Sequence, residues 1–111
     1  MANPTRYKLV FTVPHDHKEA CKDALFAAGA GQWPNGKYSR VCFEIPGKGQ
    51  FMPMGGAVPN IGDVGKLEFV EEMRIEMICV GEDVMKKAVG ELKKAHPYEE
   101  PAYDVYKMED V

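Results

Sequence analysis

The residues of this chain whose types could do chemistry are three histidines, three cysteines and an adjacent pair of glutamates. His15-Asp16-His17 puts two imidazoles near a helix start. Imidazole suits copper, zinc or nickel, although a His-x-His at such a place is more often a solvated cap. The block Ala95-His96-Pro97-Tyr98-Glu99-Glu100-Pro101 joins a third imidazole to two carboxylates. Such a set can hold a cation or act as acid and base. His15, His17, His96, Glu99 and Glu100 are therefore the candidate metal ligands, with copper or zinc the metals they suit. Glu99 and Glu100 are neighbours, however, so their side chains need not converge. Pro97 and Pro101 restrict the backbone, and the block is more simply a rigid helix-to-strand turn with His96 capping the helix.

Other chemistries lack their residues. Cys21, Cys42 and Cys79 are odd in number and contain no Cys-x-x-Cys pair, which argues against a disulfide framework or a structural zinc. Each sits in an apolar run, as a small core hydrophobe would. Cys21 follows His17 by one helical turn, which allows a Cys-His pair, but Cys21 falls on the apolar helix face. No Ser-His-Asp set can be assembled. The glycine-rich stretch matches no phosphate-cradling pattern, and its only basic residues are Lys48 and Lys66. The residues specify no cofactor, and the chain reads as non-enzymatic.

The elements that position these residues follow from periodicity. Tyr7 to Val13 predicts a strand ended by Pro14. A helix follows from His15 or Asp16, with Asp16 and Glu19 spaced as a capping box. Its apolar face is Ala20, Cys21, Ala24, Leu25 and Ala28; Lys18, Lys22 and Asp23 take the solvent face, and Gly29 and Gly31 stop it. Tyr38 to Ile45 alternates as a second strand, closed by Pro46. Gly47 to Gly65 reads as a long loop, unusually apolar through Phe51, Met52, Met54, Val58 and Ile61. Long ordered loops tend to be functional or to mediate assembly. Lys66 to Val80 predicts a long strand with a bulge near Val70-Glu71. Glu82 to His96 is an amphipathic helix, and Ala102 to Tyr106 a last strand.

The order is β-α-β-β-α-β, an α+β ferredoxin-like sandwich with two helices on one face of a four-stranded antiparallel sheet. Its core runs from about Tyr7 to Lys107, within a single domain spanning 1–111. The other sheet face, with Val10, Thr12, Cys42 and Ile78, is only half polar, which suggests that another chain covers it. Trp33, Phe51, Met52 and Met54 lie in connections and are candidate interface residues.

Charge and composition exclude further classes. The chain has 111 residues, is 45% hydrophobic and 28% charged, and carries a net charge of −3. This acidic balance, with no run of Lys and Arg longer than two residues, lacks the footprint of a nucleic-acid binder. No apolar stretch approaches a membrane span. The start, Met1-Ala2-Asn3-Pro4-Thr5-Arg6, has no leader-like pattern, so a cytoplasmic protein is the expectation.

Several segments resemble one family. They are Tyr7-Lys8-Leu9-Val10-Phe11-Thr12-Val13-Pro14, Asp23 through Gly31, Ile61 through Glu68, and above all His96-Pro97-Tyr98-Glu99-Glu100-Pro101 with its flanks. Together they look like the insert domain of the Nif-three-like proteins, also labelled GTP cyclohydrolase type 2 homologues, in free-standing form. The resemblance implies a PII/CutA-like fold and assembly through the sheets, commonly as trimers. In full-length relatives paired metals belong to flanking domains; the match does not include those, so neither that metal site nor a hydrolase activity carries over. What remains is a self-associating regulatory or assembly module, a homodimer or homotrimer, with an unidentified protein as a further partner. Two alternatives stand beside it. One is copper or zinc binding in the manner of CutA. The other is a PII-like sensor with its ligand at a subunit cleft lined by 47–65. The βαβ repeat further suggests parallel helices, which would place His96 far from His15.

Overall fold

A computed structural model describes residues 3–111; Met1 and Ala2, with which the leader-free reading begins, lie outside them. The element order is β1 (Arg6–Pro14), a 3-10 turn (His15–His17), α1 (Lys18–Ala27), β2 (Phe43–Phe51), β3 (Glu68–Val80), α2 (Glu82–Ala95) and β4 (Tyr103–Lys107). The described strands form one antiparallel sheet in the order β2-β3-β1-β4. This is the expected ferredoxin-like sandwich.

Alternation decides which side chains meet the helices. Leu9, Phe11 and Val13 of β1 and Ile75, Met77 and Cys79 of β3 point into the core. There they meet Cys21 and Leu25 of α1 and Ala88 and Leu92 of α2. Burying aliphatic side chains of this size contributes roughly 1.5–3 kcal/mol each. Cys21 and Cys79 are fully buried and unpaired. Burial pushes both thiols up, that of Cys79 to about 11.

The helices run antiparallel, contrary to the parallel arrangement expected. β1 and β3 are antiparallel neighbours, so the helices leaving them are too. A Cβ on Gly29, just past α1, would lie 3.5 Å from Val84 near the start of α2. His96, at the end of α2, therefore shares one end of the domain with His15 and His17.

The second strand is displaced by about six residues from its expected place. The segment before it is not extended: the Trp33 N–H donates to Tyr38 O at 2.8 Å, and Arg40 has φ 57°. Cys42 sits on the helix side and packs against the core, not on the open face. β2 then runs through Pro46, Gly47 and Gly49. An edge strand tolerates proline, and the 13-residue β3 provides the template. The β2–β3 register is continuous from Phe43↔Glu76 to Phe51↔Glu68, so the expected bulge at Val70-Glu71 is absent. The capping box is absent as well: the 3-10 turn precedes α1, and His17 caps it without a side-chain bond. Lys18 and Lys22 are not free on a solvated face. Their ammonium groups reach Glu44 on β2 at 3.0 and 2.6 Å. Those hydrogen bonds, from Lys22 first and then Lys18, hold the Glu44 carboxyl below the usual range.

Candidate functional site

β1 pairs with β3 only from Glu72 to Val80, whereas β2 follows β3 down to Glu68. Past Pro14 the sheet thus narrows to a two-stranded ribbon, and the chain measures 53 × 23 × 23 Å. Phe69 on this ribbon is 50% exposed. Phe43 and Ile45, on the sheet face away from the helices, are 63% and 40% exposed.

The loop after β2 folds back over that open face. It is closed at its base by the Gly65 N–H on Pro53 O at 2.7 Å. The Val58 N–H donates to Glu99 Oε1 at 3.0 Å and ties the loop to the segment after α2. Between loop, β2 and that segment lies a cleft of about 980 Å³. Its walls include Ile45, Phe51, Met54 and Ile61, with Glu72 and Tyr98 as inner polar groups.

His96 lies behind this cleft and holds Thr12 and Tyr98, which line it. Its Nε2 lies 2.8 Å from Thr12 O, and the Tyr98 N–H donates to its Nδ1 at 3.1 Å. Together these bonds assign the neutral tautomer protonated on Nε2. Burial lowers the affinity of His96 for a second proton; its bond to Thr12 opposes that, and nearby His17 adds slightly to the lowering. The ring packs on Tyr98 at 4.9 Å, and Tyr98 in turn meets Phe51 at 6.1 Å.

The fold brings His15, His17, His96, Glu99 and Glu100 to one end of the domain without converging them. His15 and His17 are exposed, both ring nitrogens of His96 are engaged, and Glu99 is used on Val58. Among the described residues no three His, Cys, Asp or Glu side chains are grouped as a metal site would need. Phe51, Met52 and Met54 cluster beside the cleft. Trp33, 45% exposed, lies at the opposite end, where the Gly31 N–H bonds Ile78 O.

Sequence reasoning missed Glu72, Tyr98 and Gly49. Glu72 stands on the open face, opposite Pro14 on β1 and Gly47 on β2. It is only 8% exposed, and burial pushes its carboxyl up. A Cβ on Gly49 would collide with its Oε1, so glycine there makes the room. The signal was a glutamate facing a Gly-Lys-Gly strand segment, legible only once β2 is placed over 43–51.

No family model matches the chain. A GTP cyclohydrolase 1 type 2 homolog from Halalkalibacterium halodurans is 50% identical over 102 residues, 92% of this chain and 27% of that protein. A Bacillus cereus protein related to NIF3 superposes with TM-score 0.82 at 39% identity, covering 99% of this chain and 27% of its own. This chain is a relative of the Nif-three-like proteins. It spans about a quarter of the length of the curated relatives it matches. The periplasmic divalent cation tolerance protein CutA from Archaeoglobus fulgidus shares the fold, with TM-score 0.66 at 17% identity over 96% of this chain and 86% of its own. The Nif-three-like relationship and the CutA-like fold agree with what the His-Pro-Tyr-Glu-Glu-Pro block implied. Among the described residues no helix is long and apolar enough to cross a membrane.

Proposed function

We propose that this domain is a non-catalytic self-association module that joins copies through the β2–β3 ribbon and the open sheet face. The observation that carries the reading is the ribbon itself. An isolated two-stranded hairpin is marginal in water, yet this one projects past β1 with Phe69 half exposed, and Phe43 and Ile45 stand exposed on the open face. A second copy of the same ribbon supplies the missing apolar cover. Phe51, Met52 and Met54 border that contact. A partner reaches Trp33 as well only by spanning the long axis.

A doubly substituted chain, Phe43→Lys with Ile45→Lys, tests it. Both side chains are exposed, so the fold is expected to survive by circular dichroism while association weakens by about 100-fold or more. Unchanged association in a folded variant would overturn the reading. A second reading has one observation in its favour: the fold gathers His15, His17, Glu99 and Glu100 at one end of the domain. It predicts copper or zinc carried at about one per chain and lost on changing both exposed histidines.

A further inference from the structure

We propose that the cleft beside β2 binds a primary organic ammonium ion with an apolar body, anchored by the Glu72 carboxylate and the Tyr98 hydroxyl. The site lies within one chain and does not rest on self-association.

Glu72 is more than nine-tenths buried and lines the cleft. Its carboxylate makes no hydrogen bond or ion pair among the described residues, although its oxygens, unlike the Tyr98 hydroxyl, are not sealed from solvent. Buried charges are ordinarily paired, because leaving one unpaired is costly. The nearby cations do not answer it. Arg74 is turned onto Glu76 Oε2 at 3.2 Å, and Lys48 is exposed and paired in register with Glu71 on the opposite sheet face. The Tyr98 hydroxyl is also buried without a partner, and burial first, then the charge of Glu72, disfavours its ionisation. A carboxylate without a protein partner and a buried hydroxyl without one thus line the same cavity, and both can accept.

The ligand class follows from what would satisfy them. An anion meets three carboxylates, Glu72, Glu99 and Glu100, against two cations, Lys48 and Arg74, along the lining and is disfavoured. A bare metal ion would leave most of a cavity of about 980 Å³ empty, and no third ligating side chain joins Glu72. A primary ammonium has three donors, enough for both oxygens. An attached apolar chain would lie along Ile45, Phe51, Met54 and Ile61. The cavity has the size of small-molecule sites, whose walls are mostly apolar with a few placed polar groups. Gly49 keeps the carboxylate in place by leaving its space open.

The test is a titration of the whole chain with hexylammonium chloride, 1-hexanol and sodium hexanoate, followed by amide NMR. The expected result is saturable shifts at Gly49, Val58 and Tyr98, with hexylammonium preferred over hexanol by about ten-fold or more. Glu72→Gln, checked for fold by circular dichroism, is expected to bring the two to parity. Tyr98→Phe keeps the ring packing and is expected to weaken hexylammonium several-fold. Equal binding of hexanol, a preference that survives Glu72→Gln, or no saturable shift with hexylammonium would overturn the proposal. The titrations are run at one fixed chain concentration, and self-association is read separately by light scattering with and without ligand, because Ile45 lies both in the cleft wall and on the open face; an unchanged scattering mass shows that the shifts do not come from association.

Discussion

Replacing His96 by Phe keeps a planar ring in the corner between β1, α2 and the cleft but removes both ring nitrogens. His96 is 5% exposed, with Nε2 2.8 Å from Thr12 O and Nδ1 3.1 Å from Tyr98 N. The substitution leaves one backbone acceptor and one backbone donor without their partners. Each loss costs about 1–3 kcal/mol where the group stays dry. Partial hydration at the cleft edge lowers the sum, and the expected destabilisation is about 2–4 kcal/mol. His96→Ala adds a cavity and the lost contact with Tyr98, for about 3–5 kcal/mol in all. Urea unfolding followed by far-ultraviolet circular dichroism measures both, with native and variant at equal chain concentration, because association would shift the apparent stability. A domain of this size has about 5–15 kcal/mol in total, so the Ala variant should lie close to unfolding. A change below about 0.5 kcal/mol for His96→Phe, typical of an exposed surface position, would refute the buried-hinge account.

Other expectations follow from the same geometry. Glu72→Gln should stabilise the chain at pH 7, because the folded state raises the pKa of this acid. The cost of the ionised group is absent below the unfolded value near 4.5 and appears as pH rises through the folded value. The gain over native protein, read by urea unfolding from pH 4 to 8, should therefore vanish toward pH 4; a gain that grows on acidification contradicts it. Glu44→Gln should cost about 1–3 kcal/mol at pH 7, since both lysines lose an ionised partner, and an unchanged urea midpoint would contradict the clamp. In the native state a thiol reagent should modify half-buried Cys42 while Cys21 and Cys79 react only on unfolding; rapid loss of all three would contradict the core. Gly31→Ala should destabilise, because its Cβ would stand 2.7 Å from Phe26 at φ +76°, and the melting temperature reports it.

Much of the fold was legible because its elements obey a single period. Leu9, Phe11 and Val13 alternate on β1, and Ala88 and Leu92 repeat at helical spacing on α2. β2 was not legible, because Pro46, Gly47 and Gly49 signal a turn locally. Pairing with β3 overrides that signal where an edge strand needs few donors. The helix direction failed for a different reason: it is set by β1 lying beside β3, a non-local pairing. His96 was expected to cap the helix within a turn; its ring instead bonds Thr12 O on the strand 84 residues earlier, a contact with no local signal. Glu72 had no local mark at all. The room for its carboxylate comes from Gly49 on another strand, and Tyr98 from a third segment lines the same cleft.

If copies of this chain join through the ribbon and open face, their mass in solution must show it. Light scattering behind a sizing column, from micromolar to millimolar chain and with metal content read on the same peak, tests it most directly. The expected result is a metal-free dimer or trimer that dissociates on dilution or with the Phe43→Lys, Ile45→Lys pair. A monomer across that whole range would contradict it, as would an oligomer that forms only with bound copper or zinc.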